Sequence, residues 1–313
     1  MEVSQGDPRP EPEPIAKLQV VGVGFAVIDY LGIVPQMPQF DDIRAVAVQD
    51  WLVSGGGPVG TALVAMARLG VRAAYIGLLG DDMIGREVRQ EFVREGVDVS
   101  RLRYQNGLRS PTTLVLVEAG TGRRAFISFR DTDAEMALMP ADHQVIESAK
   151  ILHLDGWYPD RGLPAARVAR DAGVLVSLDA YRITDRTPEW VALADVLIAA
   201  ELFPQSFTGH SDLKQASDAL LDEGPRLVVT TLSERGCFVA SREEAFHVPG
   251  IKVPVVDTTG AGDAFHGGFL YGLLQGWDLA RTARFANVVG ALTCRALGGR
   301  TSIPTLTELE QYL

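Results

Sequence analysis

The feature that most constrains the fold is a regular alternation between short apolar runs and longer helical stretches in the second half of the chain. Apolar runs rich in β-branched residues occupy 151–154, 174–178, 196–199 and 227–231, and helical stretches separate them. This alternation is typical of repeated βα units, in which helices cover both faces of a mainly parallel sheet. The sequence therefore predicts an α/β fold with three layers, α/β/α.

The first half of the chain adds strands of two kinds. Runs at 18–24 and 73–79 are apolar, as expected for buried strands of the same sheet. Runs at 112–118 and 124–129 flank a Gly-containing turn and predict a hairpin. The β-branched stretches 44–49 and 51–53 show no helical periodicity and are also predicted to be strands. We therefore expect a small β-sheet from about 31–54 and 100–130, separate from the main body.

Length and composition exclude several classes of protein. The chain of 313 residues is long enough for one large domain, and its net charge of −11 disfavours sequence-independent binding of nucleic acid. The only two cysteines, Cys237 and Cys294, suggest neither a disulfide framework nor a zinc site, so a reducing, cytoplasmic location is expected. No apolar run reaches membrane-spanning length. Residues 1–17 alternate prolines with acidic residues and predict a disordered tail before a domain over 18–313.

One Gly-rich turn carries the clearest chemical signal. Residues 257–263 read Asp-Thr-Thr-Gly-Ala-Gly-Asp, between a β-prone run at 251–256 and a helical stretch at 264–275. The first turn of a helix has unpaired N–H groups at the positive end of the helix dipole and is suited to binding anions. Asp263, on that turn, either satisfies the dipole or accepts a proton from an attacking hydroxyl beside a bound phosphate. The combination suggests phosphoryl transfer.

The same turn closely resembles the signature of the PfkB (ribokinase-like) carbohydrate kinase family. The resemblance implies that the N–H groups of Gly260, Ala261 and Gly262 form an anion hole and that Asp263 is the catalytic base. It also implies ATP and Mg²⁺ as cofactors, and a lid formed by the small sheet over the sugar. The ribokinase-like fold that it implies agrees with the three layers predicted from the strand pattern.

A second stretch, 54–70, resembles the N-terminal signature of this family, with glycines before a helix that ends in Arg-Leu-Gly. The resemblance implies that the sugar is bound by Asp29, Gly56, Gly57, Thr61 and Arg130. Thr61 stands where most members carry Asn. Its hydroxyl lacks the separate donor and acceptor groups of an Asn side-chain amide. Asp29 is alternatively a turn or capping residue. Arg130 either binds a carboxylate, a sulfonate or a ketose, or is a solvated strand end.

The nucleotide side is implied by the resemblance alone. The implied nucleotide-binding residues are Thr231, Gly236, Gly260, Gly262 and Asn287. In the family pattern a glycine follows the strand predicted here at 227–231, and Ser233 replaces that glycine. Glu201 is the only acid where the family carries a magnesium-organising Asn-x-x-Glu, so either Glu201 assists Mg²⁺ or the ion is held by phosphates and water.

Two further interpretations concern ions. By the resemblance, the segment 294–302 with Asp257 holds a monovalent cation such as K⁺. The five histidines have no metal-ligand spacing, and His266 is interpreted as a packing residue.

These observations predict an ATP-dependent kinase for a primary hydroxyl of a ketose or related sugar. Three alternatives stay open: a kinase specific for sulfofructose or 2-keto-3-deoxy sugar acids, a non-catalytic sugar or nucleotide sensor, and a dinucleotide-dependent oxidoreductase. The last has little support because 22–27 lacks the third glycine of that fingerprint. Neither a membrane nor nucleic acid is expected as a partner. Exposed edges of the lid strands favour a homodimer, which the sequence alone does not decide.

Overall fold

The computed structural model describes residues 18–39, 44–131 and 135–312, so the predicted tail 1–17 lies outside the described residues. The described chain forms strands and helices in the following order. They are β1 (Val20–Val23), β2 (Val27–Val34), β3 (Asp50–Gly56), α1 (Pro58–Arg68), β4 (Ala73–Gly80), α2 (Met83–Arg94), β5 (Asp98–Gln105), β6 (Thr112–Glu118), β7 (Arg124–Phe129), α3 (Pro140–Ser148), β8 (Ile151–Leu154), α4 (Pro159–Asp171), β9 (Leu175–Ala180), α5 (Thr187–Leu193), β10 (Val196–Ala199), α6 (Phe203–Thr208), α7 (Leu213–Glu223), β11 (Leu227–Thr231), β12 (Cys237–Ser241), β13 (Ala245–Val248), α8 (Ala261–Leu274), α9 (Leu279–Thr293) and α10 (Leu306–Leu309), with 3₁₀ turns at Ser233–Arg235 and Glu310–Tyr312.

The large sheet has nine strands in the order β13-β12-β11-β10-β9-β8-β1-β4-β5. All its strands run in the same direction except β12, which pairs antiparallel with β11 and with the edge strand β13. This arrangement confirms the predicted mainly parallel sheet. Because parallel strands end at a common edge, the loops that follow β1, β8, β9, β10 and β11 meet there. This carboxyl edge is where the candidate site lies.

The smaller sheet has four strands in the order β3-β2-β6-β7. The hairpin of β6 and β7 forms as predicted, and β2 pairs parallel with β6. Two details differ from the sequence-based expectation. The stretch 44–49 forms no strand, and β5, inside the predicted range 100–130, pairs with β4 in the large sheet. The polar residues of β5 fit its edge position on that larger sheet.

The core lies on both faces of the large sheet. Helices α8 and α9 pack together through small residues, since a Cβ added at Gly268 would lie 3.0 Å from Val289 and one at Gly272 would lie 2.8 Å from Thr282. These glycines thus allow the two helices to approach each other closely. The run 251–256, predicted to be a strand, is irregular instead, although Ile251 and Val253 pack against the core. The rest of the run is exposed, including Val255 and Val256 at 55% and 41%.

Two absences follow from the described residues. Cys237 and Cys294 are buried free thiols, in agreement with the expected lack of a disulfide framework. Within the described ranges, none of the helices combines the length and the apolar character that crossing a bilayer requires.

Candidate active site

The predicted anion-binding turn is the N-terminal tip of α8. Gly260 caps this helix with φ of 72°, and a Cβ there would lie 2.6 Å from the backbone of Gly299, so only glycine fits. In the described chain, the amide N–H groups of Gly260, Gly262 and Asp263 have no acceptor, whereas the N–H of Ala261 donates to Thr258 O at 3.3 Å. Of the three predicted donors, Gly260 and Gly262 are therefore free and Ala261 is partly engaged.

Asp263 lies on the first turn of α8 and is half-buried. Its pKa is raised to about 6, chiefly by burial and also by the negative charge of Asp155, while Arg300 and Arg124 oppose the shift. A carboxylate with such a pKa is mostly ionised at neutral pH and is still basic enough to accept a proton. The side chain is thus suited to act as a general base.

Asp29 projects from β2 and is 6% exposed. Burial raises its pKa to about 7, the Arg300 guanidinium lowers it, and the charge of Asp263 raises it. Asp29 is therefore within reach of the charge of Asp263, although the two residues lie far apart in the chain. The structure brings the predicted base and the predicted sugar ligand into one site.

Arg300 is a site residue that the sequence did not single out. It is 3% exposed, donates to Gly56 O at 2.8 Å and to Glu91 Oε2 at 2.9 Å, and approaches Thr61 Oγ1 at 3.4 Å. The hydroxyl of Thr61, itself 1% exposed, thus faces Arg300. The only sequence signal for Arg300 is the Gly-Gly pair before it, which does not reveal its distant partners.

Gly56 and Gly57 form the junction between β3 and α1. A Cβ at Gly56 would lie 2.0 Å from Asp29 Oδ2, so the missing side chain makes room for that carboxylate. Gly57 precedes the first residue of α1 with φ of 86°. The glycine pair was predicted to let a sugar approach the backbone, and in this structure Gly56 also accommodates Asp29.

Asp155, at the end of β8, joins the elements around this junction. Its carboxylate accepts N–H groups of Phe25 at 2.7 Å, Trp157 at 3.1 Å and Val59 at 3.5 Å. Burial raises its pKa to about 6 and these hydrogen bonds oppose the shift. Sequence reasoning missed Asp155, because its role depends on the loop after β1 and the start of α1 meeting at the same sheet edge.

Arg130 follows β7 and is half-buried, with its Cζ atom 3.9 Å from the ring centroid of Trp157. Arg130 is therefore not a fully solvated strand end, which was the alternative interpretation. Arg182, after β9, lies over the same ring at 4.2 Å. The sequence gave no reason to connect these two arginines.

The residues predicted to bind the nucleotide are at the end of β11, just before β12 and on α9. Thr231 Oγ1 donates to Ala199 O at 3.2 Å, and Gly236 follows the turn with φ of 93°. Ser233 has φ of 55°, a conformation that glycine adopts without strain, which fits its replacement of a glycine in the family pattern. The Asn287 amide donates to the carbonyls of Val248 and Pro249 at 3.1 and 3.2 Å and is mainly structural here.

The two residues predicted for ions both have protein partners. Glu201, whose side chain is 41% exposed, forms an ion pair with Arg235. Asp257 is fully buried, and its carboxylate accepts the N–H and hydroxyl of Thr259 and the N–H of Gly298. In the described residues, no group of three or more His, Cys, Asp or Glu side chains is arranged to hold a metal ion.

A pair of buried polar residues, Asp179 and His266, lies near Asp263. His266 Nε2 lies 3.5 Å from Asp179 Oδ1, and both residues are almost fully buried. Burial, with the charge of Asp263, raises the pKa of Asp179, and burial lowers the pKa of His266. Both shifts favour the uncharged forms of the two groups. His266 is in the core, as its predicted packing role requires.

Comparison with known proteins agrees with this geometry. The model of the pfkB family of carbohydrate kinases matches residues 17–306. The chain is 33% identical to aminoimidazole riboside kinase of Salmonella typhimurium, over 84% of this chain and 89% of the relative, and 28% identical to fructokinase-2 of Solanum habrochaites, over 92% and 94%.

Solved structures show the same fold. Arabidopsis thaliana ribokinase with ribose and ATP superposes with a TM-score of 0.82 at 22% identity, covering 95% of this chain and 98% of the other. A candidate ribokinase II from E. coli, with ATP and Mg²⁺, gives 0.79 at 22% identity, covering 94% and 98%. The three-layer fold with its smaller sheet is thus the ribokinase-like fold, and the chain belongs to the pfkB family of carbohydrate kinases.

Proposed function

We propose that this kinase transfers the γ-phosphoryl group of ATP to a primary hydroxyl of a ketose or related sugar, with Asp263 as general base. The observation that carries the proposal is the tip of α8, where unpaired N–H groups and a carboxylate of raised pKa share one turn. The effect of the Asp263 charge on Asp29 supports the same site for sugar and base. Relatives that are named fructokinase and aminoimidazole riboside kinase support a sugar-like acceptor.

The proposed reaction needs one proton transfer and one displacement. Asp263 accepts the proton of the sugar hydroxyl as its oxygen forms a bond to the γ-phosphorus, and the bond to the β,γ-bridging oxygen breaks to release ADP. The free N–H groups of Gly260 and Gly262 hold the charge on the transferred group, with a smaller contribution from Ala261. Asp29, Gly56, Gly57, Thr61 and Arg130 bind the sugar, with Thr61 acting through Arg300.

On the nucleotide side we propose Thr231, Gly236 and Asn287 as the surroundings of ATP. Asn287 would shape the adenine pocket by holding the loop after β13, since its amide already binds two carbonyls there. Mg²⁺ supplies charge neutralisation on the phosphates when bound. Because Glu201 is paired with Arg235, we place the ion mainly on phosphates and water, with Glu201 nearby.

We further propose a monovalent cation site beside Asp257. Asp257 connects the turn before α8 to residues 294–302. Its carboxylate accepts the N–H of Gly298, and its own N–H donates to Cys294 O at 3.3 Å. Backbone carbonyls of this segment are the ligands that such a cation prefers. Equal rates of ADP release in potassium, sodium and choline buffers would contradict the proposal of this cation site.

A homodimer through the smaller sheet is also proposed. One face of that sheet carries exposed apolar side chains, which include Trp51, Leu114 and Ile127 at 71%, 42% and 64% exposed. An apolar face of this kind invites pairing with a second copy. Sedimentation of the full chain tests the dimer. If the face pairs, the double variant Trp51→Glu with Ile127→Glu should be a monomer. If the face does not pair, the double variant should have the same mass in solution as the wild type.

The proposed activity is tested by ADP release from ATP across ketohexoses, pentoses, ketose sulfonates, 2-keto-3-deoxy sugar acids and nucleosides. The proposal expects sugar-dependent release with a ketose or a related sugar. Absence of release with every acceptor would instead favour the sensor alternative. Turnover of nucleosides alone would keep the reaction and reject the acceptor class.

A further inference from the structure

A buried ion pair lies beside the proposed sugar ligand Asp29. Arg300, which is 3% exposed, donates from Nη1 to Glu91 Oε2 at 2.9 Å, and Glu91 projects from α2 with a side chain 19% exposed. The Cζ atom of Arg300 also lies 5.3 Å from the ring centroid of Phe92, the next residue of α2. Burying two charges costs free energy, so the place of this Glu91–Arg300 pair next to the site points to a role there.

Two adjacent glycines at the end of β3 make room for these charges. A Cβ at Gly55 would overlap both Glu91 Oε2 and Arg300 Nη1. A Cβ at the next residue, Gly56, would overlap Asp29 Oδ2. The ion pair and the Asp29 carboxylate therefore contact neighbouring residues of one strand. Any larger side chain at either position would displace one of the charged groups.

The other N–H groups of Arg300 reach two groups that were predicted to bind the sugar. Its Nη2 donates to Gly56 O at 2.8 Å, and its Nε approaches Thr61 Oγ1 at 3.4 Å. Arg300 itself is too buried to contact a sugar. It can therefore affect a bound sugar only through its neighbours, as a positioning residue.

The charge of Arg300 opposes three negative charges around Asp29. Burial raises the pKa of Asp29 to about 7, and the Arg300 guanidinium opposes this shift. The negative charges of Asp263, Glu91 and Asp257 raise the pKa further. An ionised carboxylate accepts a hydrogen bond from a hydroxyl more strongly than a protonated carboxyl does. The protonation state of Asp29 at neutral pH thus depends on Arg300.

We propose that the Glu91–Arg300 pair positions the sugar site: Arg300 keeps Asp29 ionised as an acceptor for sugar hydroxyls, and Glu91 holds Arg300 at the end of β3. A guanidinium keeps its charge throughout the working pH range, so it is a permanent counter-charge for Asp29. The inference rests on the proposed function for the contact between Asp29 and the sugar, and on the ion pair for the protonation state of Asp29.

An NMR titration of Asp29 tests the ion pair in the full chain without any sugar. Protein labelled with carbon-13 at its aspartate carboxyl groups is titrated from about pH 5 to about pH 9, and Asp29→Asn identifies the signal. Its midpoint in the wild type should lie near 7. Arg300→Gln should move the midpoint to higher pH by about one pH unit, the effect of losing a neighbouring opposite charge. Glu91→Gln should move it to lower pH, because a negative charge is lost while Gln still accepts the Arg300 N–H.

The opposite signs distinguish control by charge from loss of structure, which would shift both variants in one direction. Arg300→Lys keeps a cation and should hold the midpoint closer to that of the wild type than Arg300→Gln does. Glu87→Gln, also on α2, removes a carboxylate that is 42% exposed and paired with Arg94, and it should leave the midpoint unchanged. If Arg300→Gln does not fold, Glu91→Gln and Arg300→Lys carry the test. Midpoints that coincide with the wild type, or that move in one direction, would overturn the proposal.

The KM of the sugar reports the consequence for binding. With the sugar that gives the fastest ADP release, the ratio of KM between Arg300→Gln and wild type should be about tenfold larger near pH 6 than near pH 9. The reason is that Asp29 is ionised in both proteins at the higher pH. The KM of ATP should stay within about 2-fold. A ratio that does not depend on pH would assign Arg300 a structural role alone and overturn the inference.

Two results separate this inference from the proposed function. Opposite shifts of the Asp29 midpoint, without ADP release from any sugar, would uphold the control of Asp29 by the Glu91–Arg300 pair and reject the kinase activity. Normal ADP release with coincident midpoints would uphold the kinase activity and overturn the inference.

Discussion

The two halves of the sheet edge are built differently. On the proposed sugar side, Asp29, Asp155 and Arg300 are buried charges whose partners come from distant elements. On the nucleotide side, Glu201 and Arg235 form an ion pair with side chains 41% and 57% exposed, and the turn between β11 and β12 depends on backbone conformation. Buried charges interact strongly and tolerate little change, whereas exposed pairs contribute little. We therefore expect substitutions on the sugar side to be far more costly.

The tip of α8 joins the two halves and should show the largest effect. Asp263→Asn removes the base but keeps nearly the same shape, so kcat should fall by at least ~10²-fold and up to ~10⁴-fold. ADP release under saturating sugar and ATP measures the fall, and circular dichroism checks that the fold is retained. Asp212→Asn is the matched control, because Asp212 caps α7 through Gln215 N at 2.9 Å and Asn also caps helices. Near-normal turnover of Asp263→Asn would refute the assignment.

Arg300→Met should have the next largest effect, on stability as well as on sugar binding. The change leaves Glu91 and Asp29 without a buried cation, and breaking such a pair costs about 3–5 kcal/mol in the free energy of unfolding. Urea denaturation measures this loss. Adding Glu91→Gln should restore part of the stability, because it removes one of the abandoned charges. Arg86→Met, which breaks an ion pair with side chains 64% and 39% exposed, should leave the free energy of unfolding almost unchanged. Similar losses for both arginines would remove the contrast between buried and exposed charges.

The pH dependence of kcat/KM should report the base. Asp263 must be ionised to accept a proton, and its pKa is raised to about 6, so activity should fall as the pH decreases through that value. Below it the decrease is about tenfold per pH unit if one group is responsible. Arg124→Gln removes a cation that lowers the pKa of Asp263, so the acidic limb should move to higher pH. Arg123→Gln, which removes the neighbouring exposed arginine, serves as the control. An acidic limb that stays in place in Arg124→Gln would contradict this origin.

Much of the fold was predictable because it depends on local patterns. The strands at Ile151–Leu154, Val196–Ala199 and Leu227–Thr231 match their predicted bounds, since buried parallel strands read as continuous apolar runs. The run 251–256 misled the prediction, because its β-branched residues pair with no strand: Ile251 and Val253 pack partly against the core, and Val255 and Val256 are exposed.

The site was predictable only where one turn holds several of its residues. The α8 tip is a single stretch of sequence, so its glycines and Asp263 could be identified together. Arg300, Asp155 and Arg182 depend on contacts between distant elements, and no spacing rule connects them to their partners. Charge networks of this kind form only when folding brings the ends of the parallel strands, and the loops that follow them, close together.

The smallest effect is expected at Glu201. The Glu201–Arg235 pair is exposed, so Glu201→Gln should change the free energy of unfolding by less than about 1 kcal/mol. If Mg²⁺ is held by phosphates and water, the Mg²⁺ concentration for half-maximal activity should change by less than about 3-fold. Magnesium titrations of ADP release at fixed ATP measure this, with Glu244→Gln on the exposed turn after β12 as the control. A rise of tenfold or more in Glu201→Gln alone would assign the carboxylate to the ion. It would also show that the nucleotide side depends on a charged side chain after all.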